Sequence, residues 1–215
     1  MFSFSKNQLK FFLLNDSFLY RTIVLLIMYF ENLFEKYKEW EILRIFLQNP
    51  KTGFYTKELA RKTKIGAGTI NTFLKNIHED KILNKEIIGN VHLYSLNNEN
   101  EIVKQLKILN TILEITKYKL TEKILKKDDT LTSMILYGSH ANGENDEKSD
   151  IDLLIISSNK ANFTTTLQQL EIQLKKPISL QILSINQWNR LKTQDEIFYQ
   201  SIIENHIILY GSGLP

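Results

Sequence analysis

Two aspartates one residue apart, Asp150 and Asp152, follow a Gly-Ser turn in the second half of the chain. Gly138 and Ser139 form that turn directly after an apolar run that is typical of a buried strand. Alternate side chains of a strand share a face, so the spacing predicts that both carboxylates project together from the start of the next strand. Adjacent carboxylates repel each other, and a shared hard cation such as Mg²⁺ offsets that repulsion. Because a Gly-Ser turn can present backbone N–H groups and a hydroxyl to phosphate oxygens, the pattern predicts nucleotide chemistry.

The turn and the aspartates belong to one longer motif, Gly138-Ser139-x-Ala141-x-Gly143-x5-Ser149-Asp150-x-Asp152. This motif resembles the signature of the DNA polymerase β-like nucleotidyltransferases, in particular of the minimal nucleotidyltransferase branch, and the resemblance covers about residues 128–211. It implies that Gly138 and Ser139 bind the β- and γ-phosphates of a nucleoside triphosphate, with ATP expected. It also implies that Asp150 and Asp152 are the catalytic carboxylates that hold two Mg²⁺ ions.

The reaction implied by the resemblance is transfer of a nucleoside monophosphate, expected to be AMP, to a hydroxyl acceptor with release of pyrophosphate. Relatives in the minimal branch act as antitoxins that adenylylate a partner toxin. The resemblance therefore suggests a protein acceptor in a toxin–antitoxin setting.

The chain departs from the family pattern at two places. Many members carry a third carboxylate on a later strand, but the corresponding run, residues 177–183, has Ser179 and Gln181 on one face and no acid. The first turn has His140 and Asn142 where an arginine often follows the alanine. Three other acids could supply the missing ligand: Glu171, Asp195 and Glu196. The sequence thus leaves two alternatives, an active Mg²⁺-dependent transferase or a nucleotide-binding fold with slow or no transfer.

Charge divides the chain into two parts. Residues 1–127 carry 21 basic and 13 acidic side chains, whereas residues 128–215 carry 6 basic and 11 acidic ones. A basic half indicates contact with a polyanion, and an acidic half suits a bound cation. The chain has no cysteine, which excludes disulfides and thiolate metal sites and fits a cytoplasmic protein. The four histidines lack zinc-ligand spacing: His78, His92, His140 and His206.

Residues 36–98 show the order of a winged helix-turn-helix, three helices followed by a hairpin. The first helix carries an apolar stripe that includes Trp40 and Phe46, and Thr56 is the expected N-cap of the second. A helix with apolar side chains at i, i+3, i+4 and i+7 follows Gly68, and Gly89-Asn90 suits a tight hairpin turn.

The resemblance to this class implies that the third helix enters the major groove of DNA. Its outward side chains are the predicted DNA contacts: Thr69, Asn71, Thr72, Lys75 and Asn76. Nearby basic side chains would contact phosphates: Arg61, Lys62, Lys64, Lys81 and Lys85. The alternative is a winged helix that binds another protein, because the fold alone does not select the ligand.

Two further segments complete the predicted organisation. Residues 99–127 form a connecting helix with apolar side chains near heptad spacing, suited either to a homodimer seam or to packing within the chain. Residues 1–35 form an apolar helical extension whose longest apolar run, residues 23–30, is too short to span a membrane, so no membrane contact is expected.

The C-terminal half, residues 128–215, reads as a mixed sheet with helices on one side. The predicted strands lie near residues 133–137, 152–157, 178–183 and 207–210, with helices near residues 161–175 and 186–205. The whole chain is therefore expected to be α+β. Three functions remain open at this stage: a DNA-binding nucleotidyltransferase, a transcription regulator with a degenerate nucleotide-sensing domain, and a protein-interaction scaffold.

Overall fold

The computed structural model describes residues 36–159, 161–211 and 213–214, and the apolar extension predicted for residues 1–35 lies outside them. The N-terminal unit has three helices and three strands: α1 (Lys38–Gln48), β1 (Phe54–Tyr55), α2 (Thr56–Thr63), α3 (Ala67–Glu79), β2 (Leu83–Ile88) and β3 (Val91–Leu96). Its strands form an antiparallel sheet in the order β1-β3-β2. This order of helices and hairpin agrees with the one predicted from the sequence.

Apolar periodicity explains the core of the N-terminal unit. Trp40 and Phe46 of α1 are buried, as are Ile70 and Leu74 of α3. The ring of Phe46 meets the ring of Phe54 edge-on, with centroids 5.3 Å apart. These contacts hold α3 against the sheet and leave its other face exposed.

The role predicted for Thr56 is wrong. Tyr55 is the N-cap of α2, with extended backbone, and Thr56 is the first helical residue. The Thr56 hydroxyl donates to Oδ1 of Asn71 over 2.7 Å, so it joins α2 to α3 across the helix pair and does not cap its own helix.

The connecting segment is two helices and not the single helix predicted. α4 (Glu101–Lys117) begins at Asn100, whose side chain accepts a hydrogen bond from the N–H of Ile102 over 2.8 Å. α5 (Leu120–Leu125) follows after Lys119, whose positive φ of 54° ends the helical path. The heptad stripe of α4 mostly packs within the chain, through Leu106, Leu109 and Leu113, and the predicted homodimer stays untested.

The C-terminal unit contains four strands and four helices: β4 (Leu131–Tyr137), α6 (Ser139–Asn142), β5 (Ile151–Ser157), α7 (Thr164–Leu174), β6 (Ile178–Leu183), α8 (Ile185–Gln194), α9 (Glu196–Glu204) and β7 (His206–Gly211). The strand order is β6-β5-β4-β7. β5 and β6 are parallel, whereas β4 is antiparallel to both of its neighbours. The predicted α+β class and mixed sheet are confirmed.

The prediction of helices on one side of this sheet is wrong. Met134 and Leu153 face a core closed by α5 and α7, while Ile135 and Leu154 face a second core closed by α8 and α9. The predicted helix over residues 186–205 is divided because the side chain of Asp195 accepts from the N–H of Phe198 and starts α9. Within the described ranges, no helix combines the length and apolarity needed to cross a membrane.

Candidate functional site

Gly138 lies between β4 and α6, directly against Asp152. Its φ of +69° is a conformation that glycine adopts without strain. A Cβ at this position would overlap Oδ2 of Asp152. The turn therefore requires glycine for two reasons, its backbone conformation and the closeness of the carboxylate. The structure brings together Gly138 and Asp152, two of the residues selected from the sequence.

The register of the sheet positions Asp152. It lies opposite Tyr137 of β4 and beside Ser179 of β6, on the face that α8 and α9 cover. Burial raises the pKa of the Asp152 carboxyl, the nearby charge of Asp150 raises it further, and a hydrogen bond from the Ser179 hydroxyl opposes both effects. Asp150 is exposed and directly precedes β5. Two close carboxylates, one half-buried and one exposed, fit a hard divalent cation.

Tyr137 lies on the same face of the sheet as Asp152, the face that α8 and α9 cover. Burial, followed by the charge of Asp152, raises the pKa of its hydroxyl to about 12. Its ring meets the ring of Phe198 edge-on at 5.8 Å between centroids. Tyr137 is thus neutral at physiological pH, and it provides an apolar surface beside the carboxylates.

Ser179 lies beside Asp152 on β6, and neither it nor Gln181 carries a carboxylate. The acids suggested as substitutes are partly engaged elsewhere, since Glu171 accepts from the N–H of Ile178 over 2.9 Å and Asp195 caps α9. Among the described residues, no group of three histidine, cysteine or acidic side chains is placed to hold a metal ion. The candidate cation site consequently rests on Asp150 and Asp152.

Two small residues of the turn, Ala141 and Gly143, have a packing reason. Ser139, half-buried, begins α6, and the N–H of Ala141 donates to the carbonyl of Gly138 over 2.9 Å. Ala141 is buried in the core of the C-terminal unit. Gly143 has φ +77°, and a Cβ there would approach the backbone of Lys104 in α4 to 2.5–2.8 Å. The turn from Gly138 to Gly143 therefore packs closely against α4.

His140 anchors this turn to the connecting helix α4. Its side chain is buried, with Nδ1 2.8 Å from the hydroxyl of Thr111 in α4. The Thr111 hydroxyl donates to the carbonyl of Lys107 over 3.1 Å, so it accepts from Nδ1–H of His140. Burial, followed by the charge of Lys176, lowers the pKa of His140 to about 4. The imidazole is neutral at physiological pH, and sequence reasoning missed its structural role because Thr111 is distant along the chain.

The predicted DNA contacts of α3 are all exposed: Thr69, Asn71, Thr72, Lys75 and Asn76. Three of them have partners within the N-terminal unit. Asn71 accepts from Thr56, the Thr72 hydroxyl donates to the carbonyl of Gly68 over 3.1 Å, and Lys75 lies 3.9 Å from Glu79. The helix thus presents a polar surface whose side chains already have local contacts.

This chain is similar, at low identity, to two solved toxin–antitoxin structures. A crystal structure described as a toxin–antitoxin with AMP-PNP is 17% identical, with a TM-score of 0.33, and the match covers 44% of this chain and 73% of that one. A mutant of the toxin–antitoxin MntA-HpeT is also 17% identical with a TM-score of 0.33, covering 45% and 72%. No functional conclusion follows from likeness at this level. No curated protein matches the chain.

The family model described as Polymerase beta, Nucleotidyltransferase matches residues 119–212. This segment contains the sheet, the Gly-Ser turn and both aspartates. The match agrees with the resemblance stated from the motif. Residues 119–212 are therefore similar to the Polymerase beta nucleotidyltransferase domain that this family model describes.

Proposed function

We propose that the C-terminal domain transfers a nucleoside monophosphate, AMP from ATP, to a hydroxyl acceptor. The observation that carries this proposal is the contact between Gly138 and Asp152, with Asp150 close enough to raise the pKa of the Asp152 carboxyl. A glycine turn packed against one of two neighbouring carboxylates fits a site for phosphate oxygens and their counter-ions.

Asp150 and Asp152 would hold Mg²⁺, which supplies neutralisation of the phosphate charge when bound. Gly138 allows the Asp152 carboxylate to lie directly against the turn, and Ser139 offers its hydroxyl to a phosphate oxygen. Ser179 orients Asp152 by donating a hydrogen bond to it. Tyr137 and Phe198 limit the access of water from the covered side of the sheet. The acceptor oxygen bonds to the α-phosphorus, pyrophosphate leaves, and the acceptor proton passes to a base.

Label transfer from α-labelled ATP tests the proposal. Wild type with Mg²⁺ and co-expressed partner proteins is expected to label an acceptor and to release pyrophosphate. Asp152→Asn keeps the side-chain shape, removes one anionic ligand and should lower the rate about a hundredfold or more. Asp129→Asn, a change at an exposed acid before β4, is the matched control. Absence of label with wild type in the presence of its genomic neighbours would remove the transferase assignment.

A second candidate is supported by Ser179 at the position where a carboxylate is missing. The domain would then bind the nucleotide without transferring it, and the chain would act as a nucleotide-sensing transcription regulator. In that case calorimetry shows Mg²⁺-dependent ATP binding, pyrophosphate release stays at background, and Asp150→Asn changes the effect of ATP on DNA affinity. Unchanged DNA affinity with and without ATP would eliminate this candidate.

Both candidates assign residues 36–98 to a winged helix-turn-helix that binds DNA through α3. The exposure of its five polar side chains and the basic charge of the N-terminal half support this assignment. The protein acceptor in a toxin–antitoxin setting rests on the motif resemblance alone. Cytoplasmic location likewise stays a prediction.

A further inference from the structure

The loop between α6 and β5, residues 143–150, ends at Asp150 and is contacted by a turn from the other unit. We name residues 49–52, which follow α1, the clamp turn. The ammonium of Lys51 donates to the carboxylate of Asp146. The backbone N–H of Lys51 donates to Oε1 of Glu147 over 2.8 Å, and the hydroxyl of Thr52 donates to the same oxygen over 3.2 Å. Three donors of the clamp turn therefore act on two neighbouring acids.

The clamp turn is itself held in place. The side-chain amide of Asn98 donates to the carbonyl of Pro50 over 2.7 Å, and Pro50 is buried. The N–H of Thr52 donates to the carbonyl of Asn49 over 3.1 Å. A turn fixed on both sides can determine the position of a loop that it contacts.

Hydrogen bonds connect Asp146 to the residues that directly precede Asp150. Oδ1 of Asp146 accepts from the N–H of Lys148 over 2.9 Å and from the hydroxyl of Ser149 over 3.1 Å. The N–H of Asp146 donates back to that hydroxyl over 2.8 Å. The carbonyl of Asp146 also accepts from the ammonium of Lys176 over 2.9 Å. Since Ser149 directly precedes Asp150, a displacement of Asp146 also displaces the first of the two aspartates.

We propose that Lys51 and Thr52, which lie outside the nucleotidyltransferase domain, are positioning residues for Asp150. The N-terminal unit then has a second role besides its surface α3, because it completes the geometry of the carboxylate pair. The inference rests on the proposed function, in which Asp150 and Asp152 hold a divalent cation.

Mn²⁺ binding in the presence of ATP, followed by electron paramagnetic resonance on the full chain, tests the proposal. Lys51→Ala should raise the Mn²⁺ dissociation constant about threefold to fivefold, because an exposed ion pair contributes modestly. Thr52→Val should raise it about twofold, and Lys51→Arg should restore the wild-type value. The midpoint of thermal unfolding should stay unchanged in all three variants.

Lys148→Ala is the matched control. It removes one positive charge, here from the loop itself, but keeps the backbone N–H that contacts Asp146. Because salt screens exposed charges, the difference between wild type and Lys51→Ala should shrink between about 0.05 M and about 0.5 M salt. A role limited to folding would not give this salt dependence.

The outcomes distinguish failure of the proposed function from failure of the role of the clamp turn. If wild type binds no Mn²⁺ with ATP, the proposed function fails and the role of the clamp turn fails with it. If wild type binds Mn²⁺ and Lys51→Ala behaves as Lys148→Ala does, only the role of the clamp turn is overturned.

Discussion

The carboxylate face of the C-terminal sheet and the exposed face of α3 differ in how strongly their surroundings fix them. Gly138 and Asp152 are in contact, and Ser179 hydrogen-bonds the carboxylate from the neighbouring strand. By contrast, Lys75 and Asn76 on α3 are exposed to solvent. Constraints on side-chain type are therefore strong at the first face and weak at the second. A role can be argued from geometry where neighbours exclude other residues, whereas an exposed polar face is compatible with several partners.

Gly138→Ala gives the strongest test of the constrained face. The new Cβ would overlap the Asp152 carboxylate, and the backbone at position 138, with φ +69° and ψ −155°, is unfavourable for alanine by about 1–3 kcal/mol. Displacement of Asp152 should weaken Mg²⁺-dependent ATP binding about a hundredfold, as measured by calorimetry. The free energy of unfolding should also fall by about 1–3 kcal/mol.

Gly68→Ala is the matched control for this change. Gly68 has no heavy atom within 4 Å of the position of an added Cβ, and it lies inside α3, where alanine is favourable. The control should bind ATP as wild type does. Equal ATP affinity in Gly138→Ala and Gly68→Ala would show that contact with Asp152 does not govern nucleotide binding.

His140 gives the constrained region a pH dependence. Its folded pKa of about 4 lies below the ordinary value of 6.5, so the unfolded chain binds the proton more readily between these values. The contribution of the neutral imidazole to the free energy of unfolding is fully present above about pH 6.5 and is lost as pH falls toward about 4. The free energy of unfolding should decrease by about 3 kcal/mol over this range, as measured by urea denaturation.

The electrostatic surroundings of His140 allow a specific control. Lys176 and Lys107 disfavour its charged form, while Asp146 favours it. His140→Asn keeps a donor toward the hydroxyl of Thr111 but does not titrate in this range. The variant should be less stable at pH 7, and its pH profile should be flatter than that of wild type. A wild-type profile as flat as that of His140→Asn would contradict the assigned burial.

Ser179→Asp sharpens the comparison by adding a carboxylate to the constrained face. Without cation, repulsion from Asp152 should lower the free energy of unfolding by about 1 kcal/mol. With Mg²⁺, a third anionic ligand should raise cation affinity about tenfold, so added Mg²⁺ stabilises the variant more than wild type. Ser179→Asn has the size of aspartate without the charge, and Mg²⁺ should stabilise it only as much as it stabilises wild type. A Mg²⁺ response equal to that of wild type would mean that position 179 does not reach the cation.

The local spacing of the motif made the arrangement of the two strands and their turn predictable, while the role of the carboxylates stays a prediction. A strand, a turn at Gly138 and a second strand beginning near Asp152 leave little choice of arrangement, and the mixed sheet followed from the same pattern. The N-terminal helices and hairpin were equally predictable, because apolar periodicity and the Gly89-Asn90 turn depend only on residues that are close in sequence.

Features that depend on distant contacts could not be predicted. The breaks at Lys119 and Asp195 interrupt continuous helical patterns through a positive φ and a side-chain cap, which composition does not reveal. Helices cover both faces of the sheet because apolar residues occur on both sides of β4 and β5. The contact of His140 with Thr111 and that of Lys51 with Asp146 join residues far apart in sequence.

Lys75→Ala tests the weakly constrained face and has the smallest expected effect. If α3 lies in the major groove, loss of one phosphate contact should weaken binding to any duplex by a few fold and reduce the slope of log affinity against log salt by about 1. Fluorescence anisotropy over a salt series measures both quantities, with Lys126→Ala at the end of α5 as the control. Lys75 has only a distant partner to lose, Glu79 at 3.9 Å, so a change in DNA affinity could not be attributed to unfolding of the helix. Identical slopes for both variants would remove α3 as a DNA contact, and the clamp turn would then be the remaining proposed role of the N-terminal unit.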